Sequence, residues 1–163
     1  TDEYLSTMEV YQEKDVPIKQ AVPNETVWLD ELKIEFLATL QFYDTMNINS
    51  VVVKLTYGDT SFLMMGDAEK EEEQDLLNSG ANLQADVIKI GHHGSKTSTT
   101  QEFLNAVQPD MAVISVGPDK NELPKSEVLQ RLEQSNVKTY RTDSSGTVIF
   151  MSDGADITVA TEQ

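Results

Sequence analysis

The sequence contains two histidines, His92 and His93, and they stand side by side. They lie in Ile88-Lys89-Ile90-Gly91-His92-His93-Gly94-Ser95-Lys96, where a short apolar run ends in glycine and polar groups follow. Neighbouring side chains of an extended segment point to opposite sides. Both imidazoles can therefore serve one site only if the backbone turns, which Gly91 and Gly94 permit. A second segment, Phe62-Leu63-Met64-Met65-Gly66-Asp67-Ala68-Glu69, follows the same plan, with an apolar strand running into glycine and then an acid. This sets Asp67 at the C-terminal end of a strand, where open α/β sheets gather their ligand groups. Imidazole and carboxylate, in a chain with no cysteine, suit zinc, manganese or iron. The plainer alternatives are an N-cap role for Asp67 on the helix that follows, and a pair of surface histidines in a loop.

These groups need a scaffold that brings them together. Asp67 and His92 are twenty-five residues apart, which leaves room for one strand-helix-strand unit and places successive strand ends side by side. The pattern supports this. Residues 69–79 read as a helix closed by Gly80, and Asp86–Ile90 as a short buried strand. Thr99–Val107 is a helix with Phe103, Leu104 and Val107 on one face, and Met111–Val116 a strand. Ser126–Gln134 is a helix turning Val128, Leu129 and Leu132 inward. Upstream, residues 3–14 form an amphipathic helix through Tyr4, Leu5, Met8 and Tyr11. Short strands follow at Val27–Leu29 and Leu32–Phe36, then a loop at 41–49. Ser50–Tyr57 and Thr60–Met65 pair across the Gly58-Asp59 turn. Lys138–Arg141, Thr147–Met151 and Asp156–Ala160 close the chain as strands. The fold class is α/β: a mixed sheet with packed helices, the antiparallel hairpins at both ends making the sheet mixed.

With 163 residues and no linker, repeat or low-complexity tract, the chain suits one domain. It opens on Thr1-Asp2-Glu3 without an initiator methionine and reads as part of something longer. No signal-peptide layout stands at its start, and no apolar run is long enough for a membrane helix. Twelve basic residues against 28 acidic ones give a formal charge of −16. Such a surface repels phosphate backbones, so direct DNA binding by the isolated chain is not expected. Lys89 and Lys96 give a local positive spot beside the histidines and no more.

Taken together, the motifs resemble a known family. Asn49-Ser50-Val51-Val52-Val53-Lys54-Leu55-Thr56-Tyr57-Gly58, Gly66-Asp67-Ala68-Glu69 and Gly91-His92-His93-Gly94-Ser95 follow the order and spacing of the metallo-β-lactamase domains of ComEC-type DNA-uptake (competence) proteins. Ile114-Ser115-Val116-Gly117 and Tyr140-Arg141-Thr142-Asp143 continue the likeness, which covers about residues 10–151. The resemblance implies that residues 1–163 are a partial domain, the C-terminal half of the αββα fold. It implies a centre of two divalent metal ions, zinc or manganese, in the complete domain, with Asp67 as the bridging ligand. The His-His-Gly-Ser segment then faces the same centre. His92 is the candidate ligand, and His93 and Ser95 are the candidate catalytic or phosphate-contacting groups, with the histidine roles interchangeable.

Such a domain would hydrolyse phosphodiester bonds of DNA during uptake, as a soluble part of a membrane protein of the bacterial cell envelope, on the extracytoplasmic side. Its partners would be DNA and the remainder of the parent chain, including a membrane channel. The chain departs from the family at two places. Nothing in residues 1–48 resembles the family's His-x-(His/Asp)-x-Asp-His metal box, and Leu123 stands where a histidine is expected before the helix at 126. Weak or no metal binding and little activity are therefore expected of this chain alone. Two further classes stay open: a non-catalytic structural or interaction module of an uptake channel, and a secreted metallo-phosphoesterase of the same fold.

Overall fold

Period-two alternation and a tight Gly-Asp turn build the first part of the molecule as an antiparallel meander. Strand β1 (Thr26–Leu29) pairs with β2 (Leu32–Phe36), β2 with β3 (Val53–Tyr57), and β3 with β4 (Thr60–Met64). A helix, α1 (Asp2–Glu13), precedes them. The structure, a computed structural model, describes residues 2–37, 49–117 and 122–162. The loop expected at 41–49 lies outside them except for Asn49.

After β4 the rhythm changes to strand and helix in turn. The elements are α2 (Lys70–Asn78), β5 (Val87–Lys89), α3 (Gln101–Val107), β6 (Met111–Ile114), α4 (Ser126–Gln134) and β7 (Lys138–Arg141). Strands β4 to β7 are parallel, and the seven strands lie in the sheet in sequence order. Parallel neighbours joined in order by right-handed crossovers must put every crossover helix on the same face. The core accordingly joins Leu76 of α2, Phe103, Leu104 and Val107 of α3, and Val128 and Leu132 of α4 to the sheet residues Val52, Leu63, Ile88, Ala112 and Ile114. Each of these side chains is at least nine-tenths buried. Leu129, expected to point inward, is only partly buried at the core's margin.

The other face of the sheet is also apolar. The strand register aligns Ile34, Leu55, Phe62, Val87 and Met111 in one row. A second row runs through Phe36, Val53, Met64, Lys89, Val113 and Tyr140. Of these, Leu55, Phe62, Met64, Val87, Lys89 and Val113 wall a groove of about 530 Å³ that also takes in Phe150. No helix among the described residues packs there, and Met64 keeps 37% of its surface exposed.

The closing strands correct one expectation. They do not extend the sheet but form a separate two-stranded ribbon, β8 (Val148–Ser152) with β9 (Ile157–Thr161). The reason is local. A helical turn, α5 (Thr142–Ser145), and Gly146 at φ +63° lead the chain away from the β7 edge. Phe150 then packs edge-on against Phe62 and Tyr140, with ring centroids 6.3 and 5.6 Å away. The ribbon is pinned to the β3–β4 turn by Asp59 N–H donating to the Gly154 carbonyl and by the Thr60–Ser152 hydroxyl pair at 2.6 Å. Helix α1 has the expected apolar spacing, yet none of its residues is buried, and Tyr4 and Leu5 are about 60% exposed.

Candidate metal-binding edge

Four parallel strands end at one edge, and the two motifs sit in the turns beyond β4 and β5. The turn after β4 runs through Gly66 at φ +58°. Asp67 is half-buried, and its backbone N–H donates to Ser50 Oγ at 3.0 Å. It is not the helix cap. Glu69 holds the N-cap position of α2, and its side chain makes no capping bond. The Asp67 carboxylate is therefore not committed to the helix and faces the next turn.

That turn, Gly91–Gly94, is one turn of 3₁₀ helix in which His92 and His93 both take left-handed backbone conformations, with φ +45° and +54°. The chain thus turns as the paired imidazoles require. It does so against close neighbours: a Cβ on Gly91 would lie 2.7 Å from the Ala68 carbonyl oxygen, and one on Gly94 would lie 2.5 Å from Pro124 Cβ. Glycine is needed at both positions by contact, and at Gly94 by its φ of +78° as well. Backbone bonds tie the two turns and the next segment into one piece. His92 N–H donates to the Gly66 carbonyl at 3.2 Å, and Lys125 N–H to the Gly94 carbonyl at 2.9 Å.

The side chains form two carboxylate–imidazole pairs. His93 Nε2 lies 3.5 Å from Asp67 Oδ1, and His92 Nδ1 lies 3.1 Å from Glu69 Oε1. His93 Nδ1 is 2.6 Å from the Ser115 carbonyl oxygen. A carbonyl can only accept, so Nδ1 carries a proton, and Nε2 is the ring nitrogen turned toward Asp67. This is how metal-binding histidines are oriented by a group behind the ring. The Ser95 hydroxyl is engaged within its own loop, 3.0 Å from Thr97 Oγ1.

Lys89 stands on the open face at the end of β5. Burial lowers its pKa, and the nearby Asp67 charge partly restores it. Of these groups, Asp67, His92 and His93 were legible as site residues. Glu69 and the Ser115 carbonyl were not: Glu69 reads as one more acid in an acidic helix start, and a backbone carbonyl leaves no sequence signal.

Two ligands on one tetrahedral ion with bonds of ~2.1 Å sit about 3.4 Å apart, so the Asp67–His93 spacing fits two corners of one metal site. The set stops there. Among the described residues, no three His, Cys, Asp or Glu side chains are grouped to hold an ion. Leu123, at the place where the family resemblance calls for histidine, packs against the hydrophobic core.

A parallel sheet edge carrying Gly-Asp and His-His turns defines a class of protein, and comparison gives it a name. The metallo-beta-lactamase superfamily matches residues 3–117, and the chain belongs to that superfamily. More particularly, it is 37% identical over 154 residues to ComE operon protein 3 of Bacillus subtilis, covering 86% of this chain and 20% of that protein. It is 38% identical over 106 residues to Competence protein ComA of Neisseria gonorrhoeae, covering 64% of this chain and 15% of that protein. Recombination protein 2 of Haemophilus influenzae is 38% identical over 103 residues, or 63% of this chain and 13% of that protein. The chain thus spans a fifth or less of the length of these relatives. A solved structure, the CmlA beta-hydroxylase E377D mutant, shares the fold at a TM-score of 0.52 with 12% identity, covering 73% of this chain and 31% of that one. No helix among the described residues is long and apolar enough to cross a membrane.

Proposed function

We propose that this chain is part of a metal-dependent hydrolase domain that cleaves phosphodiester bonds of DNA during uptake. The observation that carries this reading is the Asp67–His93 pair, 3.5 Å apart on the C-terminal sheet edge with His93 oriented from behind by Ser115. Similarity to proteins named for competence and recombination supports DNA as the substrate of this reading. In this reading Asp67 and His93 are two of the ligands to a divalent ion, zinc or manganese. A complete two-metal centre would supply a Lewis acid and an activated water. His92, paired with Glu69, stands beside the ligand pair as a group able to hold a proton, and Ser95 and Lys89 are the groups proposed to meet an anionic substrate.

The open apolar sheet face supports the partial-domain reading, because a sheet of this composition is stable when both faces are covered. The covering layer and the remaining ligands would come from the rest of a longer parent chain, which would sit in the bacterial cell envelope beside a membrane channel. A second reading, a non-catalytic interaction module, is favoured by one observation: at the place of an expected ligand stands Leu123, partly buried and packed against the core.

Calorimetric titration of zinc and manganese at neutral pH separates the readings. The isolated chain should bind weakly or not at all, since a zinc site needs three or four ligands. A longer parent protein should bind stoichiometrically, lose that binding in Asp67→Ala and His93→Ala, and cleave a labelled oligonucleotide. A parent that neither binds metal nor cleaves would favour the module.

A further inference from the structure

The histidine turn is strained, and the groups that hold it lie beneath it, in the helix layer. Ser98 is fully buried, and its hydroxyl shares its single hydrogen between the Gly91 carbonyl at 2.8 Å and the Ser95 carbonyl at 3.0 Å, one at each end of the turn. The next residue, Thr99, is β-branched, buried and at φ +56°. A β-branched side chain rarely adopts that conformation, and it persists only where the surroundings impose it.

Two charged groups on different helices do so. From α2, Glu73, only 1% exposed, accepts the Thr99 backbone N–H on one carboxylate oxygen and the Thr100 N–H, at 2.8 Å, on the other. From α4, the Arg131 guanidinium donates to the Ser98 carbonyl at 3.1 Å and to the Thr99 carbonyl. Thr99 is gripped at both its N–H and its carbonyl, which fixes Ser98 and, through it, both ends of the turn that carries His92 and His93.

We propose that Glu73 is a positioning residue for the His92–His93 turn, acting through Thr99 and Ser98 against the clamp of Arg131. A charge buried solely for stability is a poor investment beside an apolar residue of the same volume. Here the carboxylate satisfies two adjacent backbone donors that an apolar side chain would leave unmade, and it does so at the residue whose conformation sets the turn. Its neighbour Glu72, equally buried, takes no part in this grip on Thr99: the backbone N–H that bears on its carboxyl is that of Ser50. The two adjacent acids therefore provide an internal contrast. The role rests on the metal-edge reading above for its purpose, but it can be tested without metal or substrate, so either can fail while the other stands.

The test is amide hydrogen exchange, read by NMR on the whole chain. The reporters are the amides of His92, which donates to Gly66, and of Ser95, which donates to the His92 carbonyl. The variants are Glu73→Ala and Glu73→Gln, with Glu72→Gln as the neighbouring control. Val137→Ala, at the far margin of the core, serves as a control that lowers global stability. Glu73→Ala should speed exchange at both reporters by about tenfold or more beyond the change seen in Val137→Ala, because the loss is local opening and not global unfolding. Glu73→Gln keeps the volume but turns an NH₂ toward one of the two N–H donors, and should show an intermediate effect. Glu72→Gln should not speed exchange at the reporters. Should Glu73→Ala not fold, the contrast between Glu73→Gln and Glu72→Gln decides. Reporter exchange that rises no more than in Val137→Ala, or equally in the Gln variants of both acids, would overturn the assignment.

Discussion

Glu72 carries a testable cost. Its carboxyl is fully buried, and burial raises its pKa from 4.5 to about 8. The charges of Asp75 and Glu73 add to the rise, and the Ser50 backbone N–H opposes it. In the folded chain the group holds its proton up to about pH 8, whereas the unfolded chain releases it near pH 4.5. Between these values the folded state binds one proton more than the unfolded state, so stability falls as pH rises through the window. At about 1.4 kcal/mol per pH unit, the group costs roughly 3 kcal/mol at pH 7. Glu72→Gln removes the titration and keeps a carbonyl oxygen for the Ser50 N–H. Burying its extra N–H costs about 1 kcal/mol. The variant should therefore be more stable than the parent by about 2 kcal/mol at pH 7 and slightly less stable near pH 5, with the two curves crossing between. Urea unfolding at unit steps from pH 5 to pH 8 measures this directly, since contributions from the other acids, Glu73 included, largely cancel in the difference. Parallel curves would show that Glu72 ionises normally in the folded chain and would refute the reasoning.

Gly94→Ala places a Cβ 2.5 Å from Pro124 at a backbone φ of +78°. Left-handed strain and overpacking together should lower stability by about 2–4 kcal/mol, visible as a drop in Tm. DNA binding by the isolated chain should be undetectable at physiological salt, because 28 acidic residues face 12 basic ones and binding rests on lysine and arginine neutralising phosphates. Fluorescence anisotropy with a labelled oligonucleotide checks this. Tight, salt-sensitive binding by the metal-free chain would contradict the charge argument.

What the sequence reveals and what it hides divide along physical lines. Local codes transmit well. The alternation of Leu32–Phe36 and the apolar faces of α3 and α4 each fix an element within two residues of its observed bounds, and the Gly58-Asp59 turn fixes the inner ends of its two strands, although β3 begins three residues later than the alternation suggests. The convergence of Asp67 with the histidines follows from parallel strand order, because a strand-helix-strand unit leaves few other arrangements. The ribbon β8–β9 was not legible as a separate unit: the local turn at α5 and Gly146 leads it away, but where it lands depends on Phe150 meeting Phe62, 88 residues away in sequence. The pairing of His92 with Glu69 and of His93 with Asp67 was equally hidden, since it depends on two consecutive left-handed residues, a conformation uncommon outside glycine even though histidine tolerates it better than most. Glu73 is invisible for a related reason: in Lys70-Glu71-Glu72-Glu73-Gln74 nothing marks which acid turns inward.

The strain itself bears on whether this edge acts or merely survives. His92, His93 and Thr99 are three non-glycine residues within eight positions held in left-handed backbone, a conformation costing of order 1–3 kcal/mol each. An interaction module has no use for that expense at one sheet edge, and glycine at any of the three would relieve it. The surrounding structure instead commits Glu73, Arg131 and Ser98 to keep the turn in place. Strain sustained by dedicated buried hydrogen bonds is the mark of a geometry held ready for a ligand. Leu123 argues the other way at one position, yet it removes a single ligand and leaves the Asp67–His93 pair and its orientation by Ser115 intact. On the proposed reading, this strain belongs to a geometry held for a ligand.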